Sequence, residues 1–158
     1  MKNKKIELSM NMLIYYDDFF KKLKNLKDGE SENMAVISFY KDYNNQFNIN
    51  VNIEPEFETL LNRFKEDIRL CMKGFIDIID FSNYKDAFID NKEFELCDFS
   101  IVPKNEVFEV NFGVQEIAIN YIFEDEFKPI ARDISVLLEK IENTCANIFN
   151  NYILNEDN

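Results

Sequence analysis

The sequence predicts an α+β fold: an antiparallel sheet of about five to six strands, with two long amphipathic helices and one short helix packed on one face. Three observations point there. Apolar residues recur at every second position in some stretches, as in Phe47, Ile49, Val51 and Ile53 alternating with Asn48, Asn50 and Asn52, which marks half-buried strands. In others they recur at helical spacing, as in Leu60, Leu61, Phe64, Ile68, Met72 and Phe75, which marks a helix with one apolar face. The order strand, helix, two strands, long helix, three strands, long helix places strands next to one another in sequence, as antiparallel hairpins require.

Alternation at Ile6, Leu8, Met10, Met12 and Ile14 predicts a first strand. A rival reading starts a helix near Met10, because Leu13, Ile14 and the later phenylalanines also fit a helical stripe. From Asp17, the residues Phe19, Phe20, Leu23 and Leu26 form one helical face. Asp17 and Asp18 at its start and Lys24 and Lys27 near its end complement the macrodipole, and Gly29 supplies a left-handed stop. Met34 to Tyr40 and Phe47 to Ile53 then form a hairpin around Asp42-Tyr43-Asn44-Asn45, whose Asp and Asn side chains suit a tight loop.

Pro55 stands at a first helical position, followed by Glu56 and Glu58 at the positive end of the dipole. The apolar stripe then predicts one long helix over about residues 55 to 80, with a loop over 82 to 92. Gly74 within the helix costs on the order of 1 kcal/mol relative to alanine and marks a bend or a close contact. Three strands are predicted near 94–102, 106–113 and 116–124, with Pro103-Lys104-Asn105 turning the first into the second. Phe108, Val110, Phe112 and Val114 are at even positions, whereas Ile117, Ile119, Tyr121 and Phe123 are at odd ones. That phase change requires a turn near Gly113 to Glu116, since a one-residue slip reverses which face is buried. After Pro129, Ile134, Leu137, Leu138, Ile141, Cys145, Ile148, Phe149 and Tyr152 describe a terminal helix of about five turns. The chain is read as a single domain over 1–154 with a polar tail over 155–158.

Composition narrows the function. The chain has 158 residues, 46% hydrophobic and 30% charged, with 30 acids against 18 bases and a formal charge of −12. Such a field repels phosphate backbones and attracts cationic partners. A basic protein is therefore the expected partner, with no nucleic acid and no membrane among the partners. There is no histidine, which removes the usual base near neutrality and the histidine-bearing zinc and iron sites. Gly29, Gly74 and Gly113 stand too far apart for a phosphate-cradling loop. Cys71, Cys97 and Cys145 sit in apolar patterns, so they are expected to be reduced core residues in a cytoplasmic protein. Neither a catalytic residue, a metal ligand nor a cofactor is assigned.

What remains is carboxylate. Asp77 and Asp80 lie three apart near the end of the long helix, and Tyr84, Asp86 and Asp90 follow in the loop. These five are the expected partner-binding residues, acids to meet a basic patch and a tyrosine to anchor it. The run Glu124-Asp125-Glu126 is read instead as a helix-start feature, and Lys21, Lys22, Lys24 and Lys27 as a solvated basic helix end. The size and charge are analogous to those of small acidic immunity proteins, which makes a non-enzymatic inhibitor that neutralises or escorts a basic protein the first expectation. A secretion-chaperone-like binder of an unfolded client is the next, and a Mg²⁺-dependent carboxylate enzyme built on Asp77 and Asp80 the third.

Overall fold

The computed structural model describes residues 10–44, 46–80, 93–104 and 107–156. Helix α1 (Met10–Asn25) leads into β1 (Glu32–Lys41) and β2 (Phe47–Ile53). A helical stretch follows, comprising a 3-10 turn, α2 (Glu58–Leu61), a second 3-10 turn and α3 (Lys65–Ile78). Strands β3 (Phe94–Lys104) and β4 (Val107–Val114), the short α4 (Glu116–Ile119) and the terminal α5 (Lys128–Glu156) complete the order. The sheet has four strands in the order β2-β1-β3-β4, every neighbouring pair antiparallel.

The β1–β2 hairpin closes as its sequence requires. The Asp42 carboxylate accepts hydrogen bonds from the backbone N–H of Asn44 and of Gln46, both at 2.9 Å, and from the Asn48 side-chain amide at 3.0 Å. This pins the loop to its own first residue. The register aligns Ile37 with Val51 on one side and with Cys97 on the other, and Phe99 with Phe112. These side chains therefore share one face, where they join Phe19 and Phe20 of α1, Met72 and Phe75 of α3, and Ile141 and Cys145 of α5 in a single core. Among the described residues, the buried side chains of α1, α3 and α5 meet that face. The opposite face carries Ser38, Asn50, Asn52, Asp98, Ser100 and Asn111.

Two irregularities enrich the core. Between β1 and β3 the register shifts at Asn33/Ala35 and again at Ile37/Ser38, so that Met34 is the extra residue on one strand and Leu96 on the other. A bulge turns two consecutive side chains toward one face, and Met34, Ala35, Leu96 and Cys97 are all fully buried. Phe19, Phe20, Phe39, Phe57, Phe75 and Phe99 are fully buried as well, each stabilising the fold by about 1.5–3 kcal/mol relative to exposure.

Four expectations are corrected. The first strand does not extend over residues 10 to 14, which belong to α1; its earlier part lies outside the described residues. The long helix is not continuous from Pro55. Phe57 and Phe64 have φ of −110° and −106° with ψ near zero, and each breaks the α-helical ladder while its ring is buried. The strand predicted over 116–124 is helical: α4 passes into a 3-10 turn over Asn120–Phe123. The sheet thus has four strands among the described residues. Finally, α5 spans 29 residues and runs to Glu156, well beyond five turns. Pro129 stands in its first turn, where a missing N–H is tolerated.

Candidate functional site: a groove beside the sheet edge

Among the described residues, strand β4 pairs with a strand on one side only, that of β3. Its Val110 N–H points away from β3 and donates to the Glu142 carboxylate of α5 at 2.8 Å. In an antiparallel strand the backbone groups of residues two apart point the same way, so the N–H and C=O of Phe112 and Val114 also face this edge. Beyond Val110, β4 and α5 enclose a groove of about 310 Å³ whose apolar lining includes Phe112, Val114, Ile122, Ala131, Ile134 and Leu138.

One end of the groove is built by the segment from Glu116 to Phe127. Ala118 is fully buried and Tyr121 and Ile122 partly so, at the i, i+3, i+4 spacing of a helix. That orientation leaves Ile119 at 47% and Phe123 at 81% exposure. Glu124, Asp125 and Glu126 follow, all exposed, with Lys128 paired to Asp125 at 3.0 Å. Phe127 turns inward and its ring meets Phe75 of α3 with centroids 4.8 Å apart.

That contact brings the end of α3 to the same surface. The Tyr121 hydroxyl accepts from the Asp80 backbone N–H and donates to the Asp80 carbonyl, each at 3.2 Å. Asp77 and Asp80 are exposed here, whereas Tyr84, Asp86 and Asp90 lie outside the described residues. The last turn of α3 holds no basic residue, so Asp77 opposes the macrodipole of its own helix, a placement that costs about 0.3–1 kcal/mol at an exposed site. The sequence singles out Asp77 and Asp80 as candidates but not Tyr121, Ile119, Phe123 or the groove beside them. The available signal was that positions 118, 121 and 122 fit a helical period as well as 117, 119, 121 and 123 fit a strand.

No family model, curated protein or solved structure matches this chain. Cys97 and Cys145 are fully buried and Cys71 is half-buried. Burial pushes all three thiols up, Cys97 well above the ordinary range with Asp98 adding to it, and Cys145 to about 12 with Glu142 adding to it. Groups held so firmly as thiols are poor nucleophiles. Lys22 of the basic helix end pairs with Glu32 at 3.2 Å and approaches Glu56 at 3.9 Å. Its hydrogen bond to Glu32 raises its pKa, and it ties α1 to the start of β1. Among the described residues no group of three or more Cys, Asp or Glu lies close enough to hold a metal ion, and no helix is long and apolar enough to cross a membrane.

Asp98 differs from the other acids. It lies on the face of the sheet away from the described helices, opposite Gly113 of β4, and its carboxyl is pushed up first by partial burial and then by the neighbouring Glu95. A β-carbon built on Gly113 would stand 2.9 Å from Asp98 Oδ1. The carboxylate therefore leans over the glycine toward the free edge.

Proposed function

We propose that this chain is a non-enzymatic binding protein that neutralises or escorts a basic protein partner. The observation that carries the reading is the exposed apolar pair Ile119 and Phe123 beside Glu124, Asp125 and Glu126, with Asp77 and Asp80 joined to it through Tyr121. An aromatic side chain among acids provides buried contact area and cation recognition together. The charge of −12 steers such a partner from a distance. Asp86, Asp90 and Tyr84 complete the proposed contact set. A cytoplasmic location accompanies this reading, supported by three free cysteines, since thiols persist in reducing compartments.

The test is to capture a partner from the native cell on the full chain, identify it, and follow its association by stopped flow. Association should slow markedly as the Debye length shortens from ~10 Å at 0.1 M salt to ~3 Å at 1 M, with dissociation changing less. Asp77→Lys with Asp80→Lys should lower the on-rate while leaving the melting temperature near that of the parent. Binding indifferent to both salt and these substitutions would leave the acidity with no role beyond solubility.

A second reading, an escort that holds an unfolded client in the manner of secretion chaperones, is favoured by one specific feature: the groove beside a free strand edge. An extended client segment can use such an edge, whereas a folded partner cannot reach it as readily.

A further inference from the structure

We infer that the free edge of β4, over Phe112 to Val114, together with the groove against α5, takes up an extended segment of a partner chain in which apolar residues alternate with Lys or Arg. The inference rests on the protein-binding reading above and assigns it a docking mode, strand addition. Four features meet at this edge.

The first is backbone. The N–H and C=O groups of Phe112 and Val114 point away from β3, by the same period that turns Val110 N–H to Glu142. Main-chain hydrogen bonds to an added strand contribute affinity without demanding a particular sequence. The second is a stop. Glu142 occupies the Val110 N–H, so an incoming strand cannot pair past that residue and its register is limited to the open end of β4.

The third is the groove. Side chains of an added strand alternate between the two faces of the sheet. Those on the helix-covered face meet the space of about 310 Å³ lined by Phe112, Ile122, Ala131 and Leu138, which fits large apolar side chains. The fourth is charge on the other face. Gly113 has no side chain to shield its neighbour, and the Asp98 carboxylate lies over it. A Lys or Arg opposite Gly113 on the added strand would reach that carboxylate across the glycine. Among the described residues Asp98 has no cationic partner, and partial burial followed by the nearby Glu95 pushes its carboxyl up. Over the wider rim, residues 109 to 142 hold eight acids against Lys128, Arg132 and Lys140. The same charge makes a second copy of this chain a poor occupant, since two edges of like sign repel.

The experiment uses the full chain and a synthetic peptide of about nine residues alternating Val or Ile with Lys, beside a control in which every Lys is replaced by Glu. Amide hydrogen exchange is read by NMR. The Lys peptide should slow exchange at Phe112 and Val114 by at least about tenfold and leave Ile49 and Val51 on β2 unchanged; the Glu peptide should do neither. Asp98→Asn should weaken the Lys peptide by about tenfold, and Leu138→Lys should weaken it through the groove. Protection that falls on β2, equal binding of both peptides, or no protection at millimolar peptide would overturn the proposal, and so would slowing at Phe112 and Val114 that rises with protein concentration alone, which would assign the edge to a second copy. A captured basic protein whose binding depends on Asp77 and Asp80 but leaves the β4 amides unchanged would overturn strand addition while sparing the protein-binding reading. Failure of every basic ligand would remove both.

Discussion

The two edges of the sheet are built from the same kind of strand and end differently. On β2, two asparagines of the face away from the helices are held by side-chain bonds: Asn48 donates to the nearby Asp42, and Asn50 to the distant Glu93 at 3.2 Å. Phe47 packs against Phe39 with centroids 6.0 Å apart and lies under the Lys41 ammonium at 5.6 Å. Polar side chains and a nearby lysine are the ordinary means of blunting an edge. On β4 a single carboxylate, that of Glu142, covers one N–H, and an apolar groove opens beside the next two outward-facing residues. Among the described residues, a backbone edge with no further strand beside it is therefore common to both. What distinguishes a docking edge is the surface next to it.

The largest expected effect comes from the wall of the groove. Phe127 is 8% exposed and packs on Phe75, so Phe127→Ala should lower unfolding free energy by about 3–5 kcal/mol. Phe47, 36% exposed on the other edge, should lose less than about 1 kcal/mol on the same change. Urea titrations of the two variants measure both, and equal losses would erase the contrast.

Glu142→Ala, which leaves the Val110 N–H without its acceptor, should cost about 1–2 kcal/mol and speed exchange at that amide. If exchange there is unchanged, the edge is not guarded by Glu142.

A subtler effect is expected at Gly113. Gly113→Ala forces the Asp98 carboxylate to move from a 2.9 Å approach, and about 1 kcal/mol is expected. Adding Asp98→Ala should recover most of that loss, because the clash and its relief belong to one pair. Two independent, additive losses would mean the carboxylate does not lean over the glycine.

The smallest effect is in pH dependence, where the two ends of the sheet carry opposite signs. Asp42 is held below the ordinary range by the Gln46 N–H, then by the Asn48 amide, so its contribution is present above the unfolded-state value and is lost as pH falls through the lowered one. Asp98 is raised, so its contribution is present below the unfolded-state value and declines as pH rises through the raised one. In urea midpoints taken across the carboxylate titration range, Asp42→Asn should flatten the acid limb. Asp98→Asn should flatten the decline on the other side. A matching response from both would show that the two carboxylates share one environment.

The β1–β2 hairpin was legible because its determinants are local: alternation on both strands and one aspartate that bonds the loop it opens. The amphipathic face of α5 was legible for the same reason, since Ile134, Leu137, Ile141 and Cys145 lie on one stripe whatever they meet. The acids of α3 were legible as residues, but their neighbours were not. Asp80 meets Tyr121 across 41 positions of sequence, and no local pattern encodes that contact.

By itself, then, the sequence determined the α+β class, the antiparallel β1–β2 hairpin, the amphipathic helices and the acidity, all of which follow from the period and chemistry of neighbouring residues. Tertiary structure decided the rest. Residues 116 to 123 satisfy a strand period and a helix period almost equally, and in the fold they are helical, with Ala118 buried and Tyr121 and Ile122 packed against the core. The bulges at Met34 and Leu96 arise only when β1 and β3 are aligned, and the groove exists only as the space left between β4 and α5. Each depends on how far apart two distant segments come to rest, a distance set by the sum of core contacts.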